Sequence, residues 1–240
     1  MILVTGAAGT LGRAWRNYLN TESVGIDNSE WAVAADEFCT LGDFAEASLF
    51  GIETVIHCAA YKHINLAQDN PIPFIENNVI KTLTLFKRCY EKEIPVLFIS
   101  TDKAVEPIST YGFTKAIGEE MAKHYGFCVA RLPNIMGSSG SVIPVWEKQL
   151  EEGKPVTITD PSMIRHFCDV DEAVREIWER YLTGEKLIIP KSTKISVNTL
   201  FEKTLEKKGI KQRPLVKIIG LRCREKMVEK LNWDYEVNNG

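Results

Sequence analysis

Tyr111 and Lys115 stand four residues apart in the stretch STDKAVEPISTYGFTK, residues 100–115, directly after the apolar run PVLFI at 95–99. On a helix this spacing puts a phenol and an ammonium on one face. A nearby ammonium favours the phenolate and draws the tyrosine pKa toward working pH. Ser100 or Thr101, at the tip of the strand, is placed to hydrogen-bond the oxygen that exchanges its proton with Tyr111. Such a set suits reversible oxidation of an alcohol, with a cofactor taking the hydride. Asp102 and Lys103 add a carboxylate and an amine where a core strand surfaces. A hydrated loop and a catalytic centre are the two readings of that polarity.

Those side chains need a scaffold, and the preceding sequence reads as one. ILVTG at 2–6 is a short apolar run ending in glycine, followed by helical periodicity through Leu11, Trp15, Tyr18 and Leu19. SVGID at 23–27, TVIHCAA at 54–60, PVLFIS and CVARLP at 128–133 read as further strands. Helices are expected from about Pro73 to Glu91 and from Tyr111 to Tyr125. Strands alternating with helices imply parallel crossovers, hence an α/β fold with a doubly wound parallel sheet of Rossmann type. Beyond about residue 140 the rhythm changes. SVIPVWEKQLEEG reads as helix, PVTIT as strand, VDEAVREIWERYL as amphipathic helix and KLIIP as strand, with final helices near 197–208 and 218–231. The expected division is a dinucleotide-binding domain at 1–140 and a small α/β substrate-binding region at 141–240, packed on it.

Gly6, Gly9 and Gly12 in TGAAGTLG lie between the first strand and its helix. The first permits a tight turn, the second lets backbone approach a pyrophosphate, and the third allows close helix–strand packing. The helix N-terminus, at Thr10 and Leu11, offers free N–H groups and a positive dipole end to phosphates. Asp27 ends the next strand, where it can accept from the adenosine ribose hydroxyls and would repel a 2′-phosphate. That residue favours NAD, with NADP as the alternative; the lesser reading is that Asp27 simply caps the segment after it. In LGDF, Asp43 can bond an adenine amino group with Phe44 beside the ring, or serve a plain turn.

The chain has 240 residues, 45% apolar and 25% charged, a composition ordinary for a globular protein. A net charge of −3 gives no global reason to expect nucleic acid or an anionic membrane. The basic stretch KIIGLRCREK reads as a solvated helix face. Cysteines at 39, 58, 89, 128, 168 and 223 form no CxxC pair, which favours buried thiols in a reducing compartment over a disulfide or a metal site. With no long apolar run and no signal-type pattern, a cytoplasmic location without membrane contact is expected.

The stretches VTGAAGTLG, HCAAYKHINLAQDNP, ENNV, STDKAVEPISTYGFTK, RLPNIMGSSGSVIP and TDPSMIRHF run in order from residue 4 to residue 167. Together they make the chain resemble the extended short-chain dehydrogenase/reductase family. Within it, the chain is similar to the polysaccharide-biosynthesis branch of inverting UDP-N-acetylglucosamine 4,6-dehydratases and related 4-epimerases. The resemblance implies that Tyr111 deprotonates the sugar 4-hydroxyl while Lys115 holds the ribose and tunes Tyr111. It further implies that Lys103 removes the proton at position 5, Asp102 protonates the departing 6-hydroxyl, and Thr101 orients the substrate. An acid and a base side by side can divide their protonation states only in a desolvated pocket. On the surface the two are an ion pair and the chain is a 4-epimerase or 4-ketoreductase. A non-catalytic NAD-binding regulator is the third reading.

By the same resemblance Ala59 and Ala60 flank the cofactor, and Asn78 supports the active-site helix beside it. Lys62 lines the site, as does His63 unless it is a satisfied loop histidine. Asn134, Gly140, Ser141 and Val142 grip the UDP-sugar, and Arg165 is a candidate diphosphate clamp, since a guanidinium suits bidentate phosphate binding. A homodimer or higher homo-oligomer through the 73–91 and Tyr111 helices is implied too, with Phe86, Tyr90 and Ile117 on that face or in the core. Three departures stand out. Ser139 replaces an arginine, His166 replaces an aromatic, and the segment Asn28–Phe38 is short.

Overall fold

The computed structural model describes residues 1–30, 39–138, 141–221 and 224–233. Strands buried on both faces of a parallel sheet need near-continuous apolar runs. ILVT, TVIH, VLFIST and CVARL form β1 (Ile2–Thr5), β4 (Thr54–His57), β5 (Val96–Thr101) and β6 (Cys128–Leu132). With β2 (Ser23–Asp27), β3 (Cys39–Leu41) and β10 (Leu187–Ile188) they make one parallel sheet of order β10-β6-β5-β4-β1-β2-β3. The order reverses between β1 and β4, and a ligand crevice belongs at such a switch point, beyond the carboxyl ends of the strands.

Each sheet face carries its own core. Trp15 of α1 (Thr10–Leu19) and Val174 and Ile177 of α7 (Val170–Leu182) cover one face. Leu85 and Phe86 of α4 (Thr82–Glu91) pack with Phe98 and Phe127 on the other. Phe86 is therefore core, whereas Tyr90 and Ile117 are exposed. Residues 170–188, which the sequence division assigns to the small region, complete the main sheet and its helix layer.

The remaining C-terminal residues build a smaller unit. β9 (Ile164–Cys168) lies between β11 (Thr193–Ser196) and β7 (Asn134–Ile135), and β8 (Val156–Ile158) pairs with β12 (Val216–Ile218). Trp146 of α6 (Val142–Glu151) meets Phe201 of α8 (Val197–Lys207) edge to face at 5.2 Å, inside a third core.

Two sequence expectations are corrected. The helix expected from Pro73 starts with α2 (Ile64–Asp69) and α3 (Pro71–Ile75) and is interrupted at Glu76–Lys81 by a π-helical turn before α4. Such turns cluster at functional sites, and this one carries Asn77 and Asn78. No helix occurs among the described residues of 218–231. Gly220 takes φ +75° and Arg224 φ +62°, and right-handed helices of L-residues exclude that region. The carbonyls of Lys226, Met227 and Leu231 accept from distant donors rather than from a next helical turn.

Candidate active site

The glycine loop is dictated first by packing. A Cβ on Gly12 would lie 2.1 Å from Gly6 O, and Gly6, at φ +65°, passes so close to the segment just after β4 that a Cβ would meet Ala59 N at 2.7 Å. Gly9 differs, since its Cβ would only brush Gly6 O at 3.3 Å. Asp27 clamps the loop from below, its carboxylate accepting from Ala8 N at 3.0 Å and Ser29 N at 2.9 Å. Asp43 caps the turn Phe44–Glu46 and pairs with Lys81, while Phe44 packs against His57.

The chemical side chains meet at the end of β5. Ser109 Oγ accepts from Gly112 N at 3.1 Å and caps α5 (Thr110–His124), which sets Tyr111 in the first turn and Lys115 one turn later. Gly112 is required because a Cβ there would sit 2.4 Å from Lys103 O. Lys115 is buried, donates to Ile99 O at 2.6 Å and lies 4.4 Å over the Phe98 ring. Burial brings its pKa down to about 8, against the opposing pull of Cys58 and Glu119. Tyr111 moves the other way from the sequence expectation. Burial, then the Asp102 carboxylate, push its phenol well above the ordinary tyrosine value, and a hydrogen bond with Thr101 opposes them. The charge that acts on the phenol is the Asp102 carboxylate, while the Lys115 ammonium points to Ile99 O and the Phe98 ring.

Asp102 is fully buried, so the surface ion pair is excluded. Its Oδ1 accepts from Lys103 Nζ and from Thr101 Oγ1, each at 3.0 Å. Asn134 completes the cluster, accepting from Lys103 Nζ at 3.3 Å and donating to Asp102 Oδ2 at 3.4 Å and His166 O at 3.0 Å.

Of the two strand-end hydroxyls, Thr101 bonds Asp102, whereas Ser100, although it also lines the cleft, is turned to a second partner. Its hydroxyl donates to Glu119 at 2.6 Å. Glu119 also takes a two-point contact from Arg131, at 3.0 and 2.6 Å, and both charged groups are buried. The sequence reading missed this pair, although two signals were present: Glu119 continues the Tyr111–Lys115 stripe by another four residues, and Arg131 interrupts an apolar strand. It also missed His57, fully buried with Thr5 Oγ1 at 2.7 Å from Nδ1 and Thr82 Oγ1 at 3.0 Å from Nε2. Burial, helped by the charge of Lys115, holds that imidazole neutral, well below its usual pKa.

A cleft of about 970 Å³ opens at the switch point. It brings together every described site residue expected from sequence except Asp102 and Asn78. Asp102 lies behind the lining. Asn78 is a clamp, accepting from Tyr61 N at 2.8 Å and donating to Tyr61 O at 2.8 Å and Thr114 Oγ1 at 3.1 Å, so it braces α5 rather than facing a cofactor. Lys62, Ser141 and Val142 stand on the walls with the glycine loop at the floor. Arg165 lines the cleft, yet its guanidinium donates to Ile164 O, Met227 O and Lys226 O. Gly140, Ser139 and Cys223 lie outside the described residues. The five described cysteines are free thiols, all buried except the half-buried Cys58.

A family model described as polysaccharide biosynthesis protein matches residues 43–240. The chain is 31% identical to the uncharacterized membrane protein MJ1061 of Methanocaldococcus jannaschii, over 99% of this chain and 82% of that one. Among the described residues, no helix of this chain is long and apolar enough to cross a membrane. The capsular polysaccharide biosynthesis protein CapD of Staphylococcus aureus is 33% identical over 74% of this chain but only 32% of its own, so this chain spans about a third of that relative. The inverting UDP-N-acetylglucosamine 4,6-dehydratase of Campylobacter jejuni is 28% identical, over 95% of this chain and 76% of that one. Among solved structures, Pen from Bacillus thuringiensis has a TM-score of 0.87 at 28% identity, covering 96% of this chain and 82% of that one. The dTDP-glucose 4,6-dehydratase DesIV of Streptomyces venezuelae, solved with NAD, shares the fold at a TM-score of 0.85 and 20% identity, over 99% of this chain and 89% of that one.

Proposed function

The chain belongs to the polysaccharide biosynthesis protein family, and from that premise we propose that it is a nucleotide-sugar 4,6-dehydratase using NAD and acting on a UDP-sugar such as UDP-N-acetylglucosamine. The observation that carries this reading is the Asp102–Lys103 pair at 3.0 Å, its carboxylate fully buried and its ammonium lining the cleft with Tyr111. One proton shared by such a pair has two placements. With it on lysine the pair is ionic; with it on aspartate the pair is at once an acid and a base. Desolvation brings the two placements closer in energy by penalising the ionic one.

The cradle fits a dinucleotide. Gly9 has little packing need for its missing side chain, and Gly9, Thr10, Leu11 and Gly12 at the start of α1 line the cleft, where a helix N-terminus suits a phosphate. Asp27 at the end of β2 favours an unphosphorylated ribose. A bound nicotinamide would supply a reversible hydride acceptor.

Tyr111 takes the proton of the sugar 4-hydroxyl as the phenolate, with Thr101 beside it as hydrogen-bond partner. Protonation of Asp102 removes one of the two causes that hold the phenol's pKa high, and the positive charge of a bound oxidised nicotinamide would oppose the other, burial. The resulting 4-keto group acidifies the proton at position 5, which neutral Lys103 removes. Protonated Asp102 gives its proton to the 6-hydroxyl, which leaves as water. The pair is then ionic. The hydride taken from position 4 would be returned to position 6 as the Lys103 ammonium gives its proton back to position 5. The proton held by Tyr111 restores Asp102, so hydride and proton counts both close.

Pure protein incubated with UDP-N-acetylglucosamine and no added cofactor is expected to give a 4-keto-6-deoxy sugar. Lys103→Ala should lower that turnover by about 10²–10⁴-fold, the usual weight of a general base; full turnover in this variant would remove Lys103 from the reaction. The second reading, a 4-epimerase or 4-ketoreductase, is favoured by Asp102 standing behind the cleft lining while Tyr111 and Lys115 face it. A product altered at position 4 with position 6 intact selects it.

A further inference from the structure

The segment 224–231 does not simply trail off the small unit. Ile164 N of β9 donates to Met227 O at 2.8 Å, Ile164 bridges Val228, and Arg165 donates to Lys226 O at 2.7 Å. The segment is thus an added edge on the strand that carries Arg165 into the cleft. From that edge Lys226 reaches across to the turn that follows Asp102 and Lys103. Its Nζ donates to Val105 O at 2.5 Å and pairs with the buried Glu229 at 3.4 Å. Lys230 pairs at 2.6 Å with Glu106, which takes a left-handed φ of +46° in that turn. Leu231 O accepts from buried Arg131 at 2.8 Å, the same guanidinium that holds Glu119 and, through it, Ser100. On the other side of the turn, Asn134 ties Asp102 to His166 O of β9.

We propose that residues 224–231 are a positioning strap, in which Lys226 fixes the catalytic turn against the sugar-facing strand β9. The proposal rests on the dehydratase reading for its chemistry and on nothing else in it. The turn is joined to β9 from two directions, by Asn134 at the carboxylate and by Lys226 three residues on. The wall that receives the sugar and the turn that moves protons then keep one spacing. Lys226 touches neither substrate nor cofactor; it acts through Val105 O. Catalytic groups lose about 10²-fold for a misplacement of about 1 Å, so a slackened turn is read in turnover before it is read in binding.

The test uses the full chain with Lys226→Met and, as the conservative control, Lys226→Arg. Amide exchange without substrate should be about tenfold faster at Lys103 and Val105 in Lys226→Met and unchanged at Arg13 in the glycine loop. The kcat for 4-keto-6-deoxy sugar should fall about tenfold with KM within about twofold, and Lys226→Arg should recover most of both. Unchanged exchange at Lys103 and Val105, or a loss confined to KM, overturns the strap. Should Lys226→Met not fold, Lys230→Met removes the exposed contact with Glu106; about threefold faster exchange at Val105 supports the strap, and none overturns it. Faster exchange in a chain that yields no dehydrated sugar sinks the dehydratase reading and leaves the mechanical link standing. Normal exchange in a chain that dehydrates sinks the strap alone.

Discussion

At the glycine loop, Ala8 donates to Asp27 across 19 residues of chain. At the strap, Arg131 reaches Leu231 across 100 and Lys226 reaches Val105 across 121. Both regions grip the same cleft, one as its floor and the other behind its far wall. The floor is one strand–turn–helix unit whose geometry follows from where glycines fall. The strap exists only once the sheet, the small unit and the catalytic turn have all been assembled. Local units carry their own instructions, whereas long-range clasps depend on loop closure that no short window of sequence encodes.

The sharpest way to break that contrast is at Gly12. A methyl group 2.1 Å from Gly6 O has nowhere to go without moving backbone on both sides. Gly12→Ala should cost more than about 4 kcal/mol, in the range of exceptional single substitutions. Soluble, cooperatively unfolding protein from this variant would mean that the floor is not rigidly specified by its glycines.

Next in size is the buried pair behind β5. Removing one partner of a buried ion pair costs about 3–5 kcal/mol, because the other is left charged and unpaired. Arg131→Met should show a loss of this order in urea unfolding, since it leaves the Glu119 carboxylate with the Ser100 hydroxyl but no paired cation. Removing Glu119 as well, as Glu119→Leu, should recover a substantial part. Strictly additive losses in the double variant would show that Arg131 acts through Leu231 O and not through the carboxylate, which would make the strap the dominant contact.

How far these regions could be read in advance follows the same division. The sheet strands other than the short edge strand β3, with α1, α5 and α7 and the glycine loop, were legible, because period, caps and turn residues lie within a few positions of one another. Tyr111, Lys115, Thr101 and Lys103 were legible as one cleft-lining group for the same reason. The raised Tyr111 pKa was not, since it depends on which way Lys115 and Asp102 point once packed. Nor was the fate of 218–231, where apolar and basic residues at helical spacing mimic an amphipathic helix. Tertiary hydrogen bonds to the carbonyls of 226, 227 and 231 override that local preference.

Lys115 lies where floor and catalytic strand meet, and it offers a pH test of intermediate size. Its pKa is about 8 in the folded chain and ordinary for lysine when unfolded, so between those values the unfolded state binds more protons. The penalty for burying the charge is therefore fully present below about pH 8 and is relieved as pH rises toward the unfolded value. Wild type should gain about 2–3 kcal/mol relative to Lys115→Met between pH 7 and pH 10. Parallel stability curves for the two proteins would place the ammonium in a wetter setting than its contact with Ile99 O implies.

The smallest expected effect on stability is at Gly9, and it separates packing from binding within the floor itself. Gly9 holds φ −72°, a conformation open to any residue, and its Cβ would meet only Gly6 O, at 3.3 Å. A shift of a few tenths of an ångström relieves that contact, so Gly9→Ala should unfold within about 1 kcal/mol of wild type. The same methyl group projects where a pyrophosphate would rest against the loop backbone, and NAD affinity should fall at least about tenfold, roughly 1.4 kcal/mol. Gly12 and Gly9 would then differ in kind, one glycine serving the fold and the other the ligand. Equal NAD affinity in wild type and Gly9→Ala would mean that no phosphate approaches the loop at Gly9, and the dinucleotide cradle would have to be drawn elsewhere along α1.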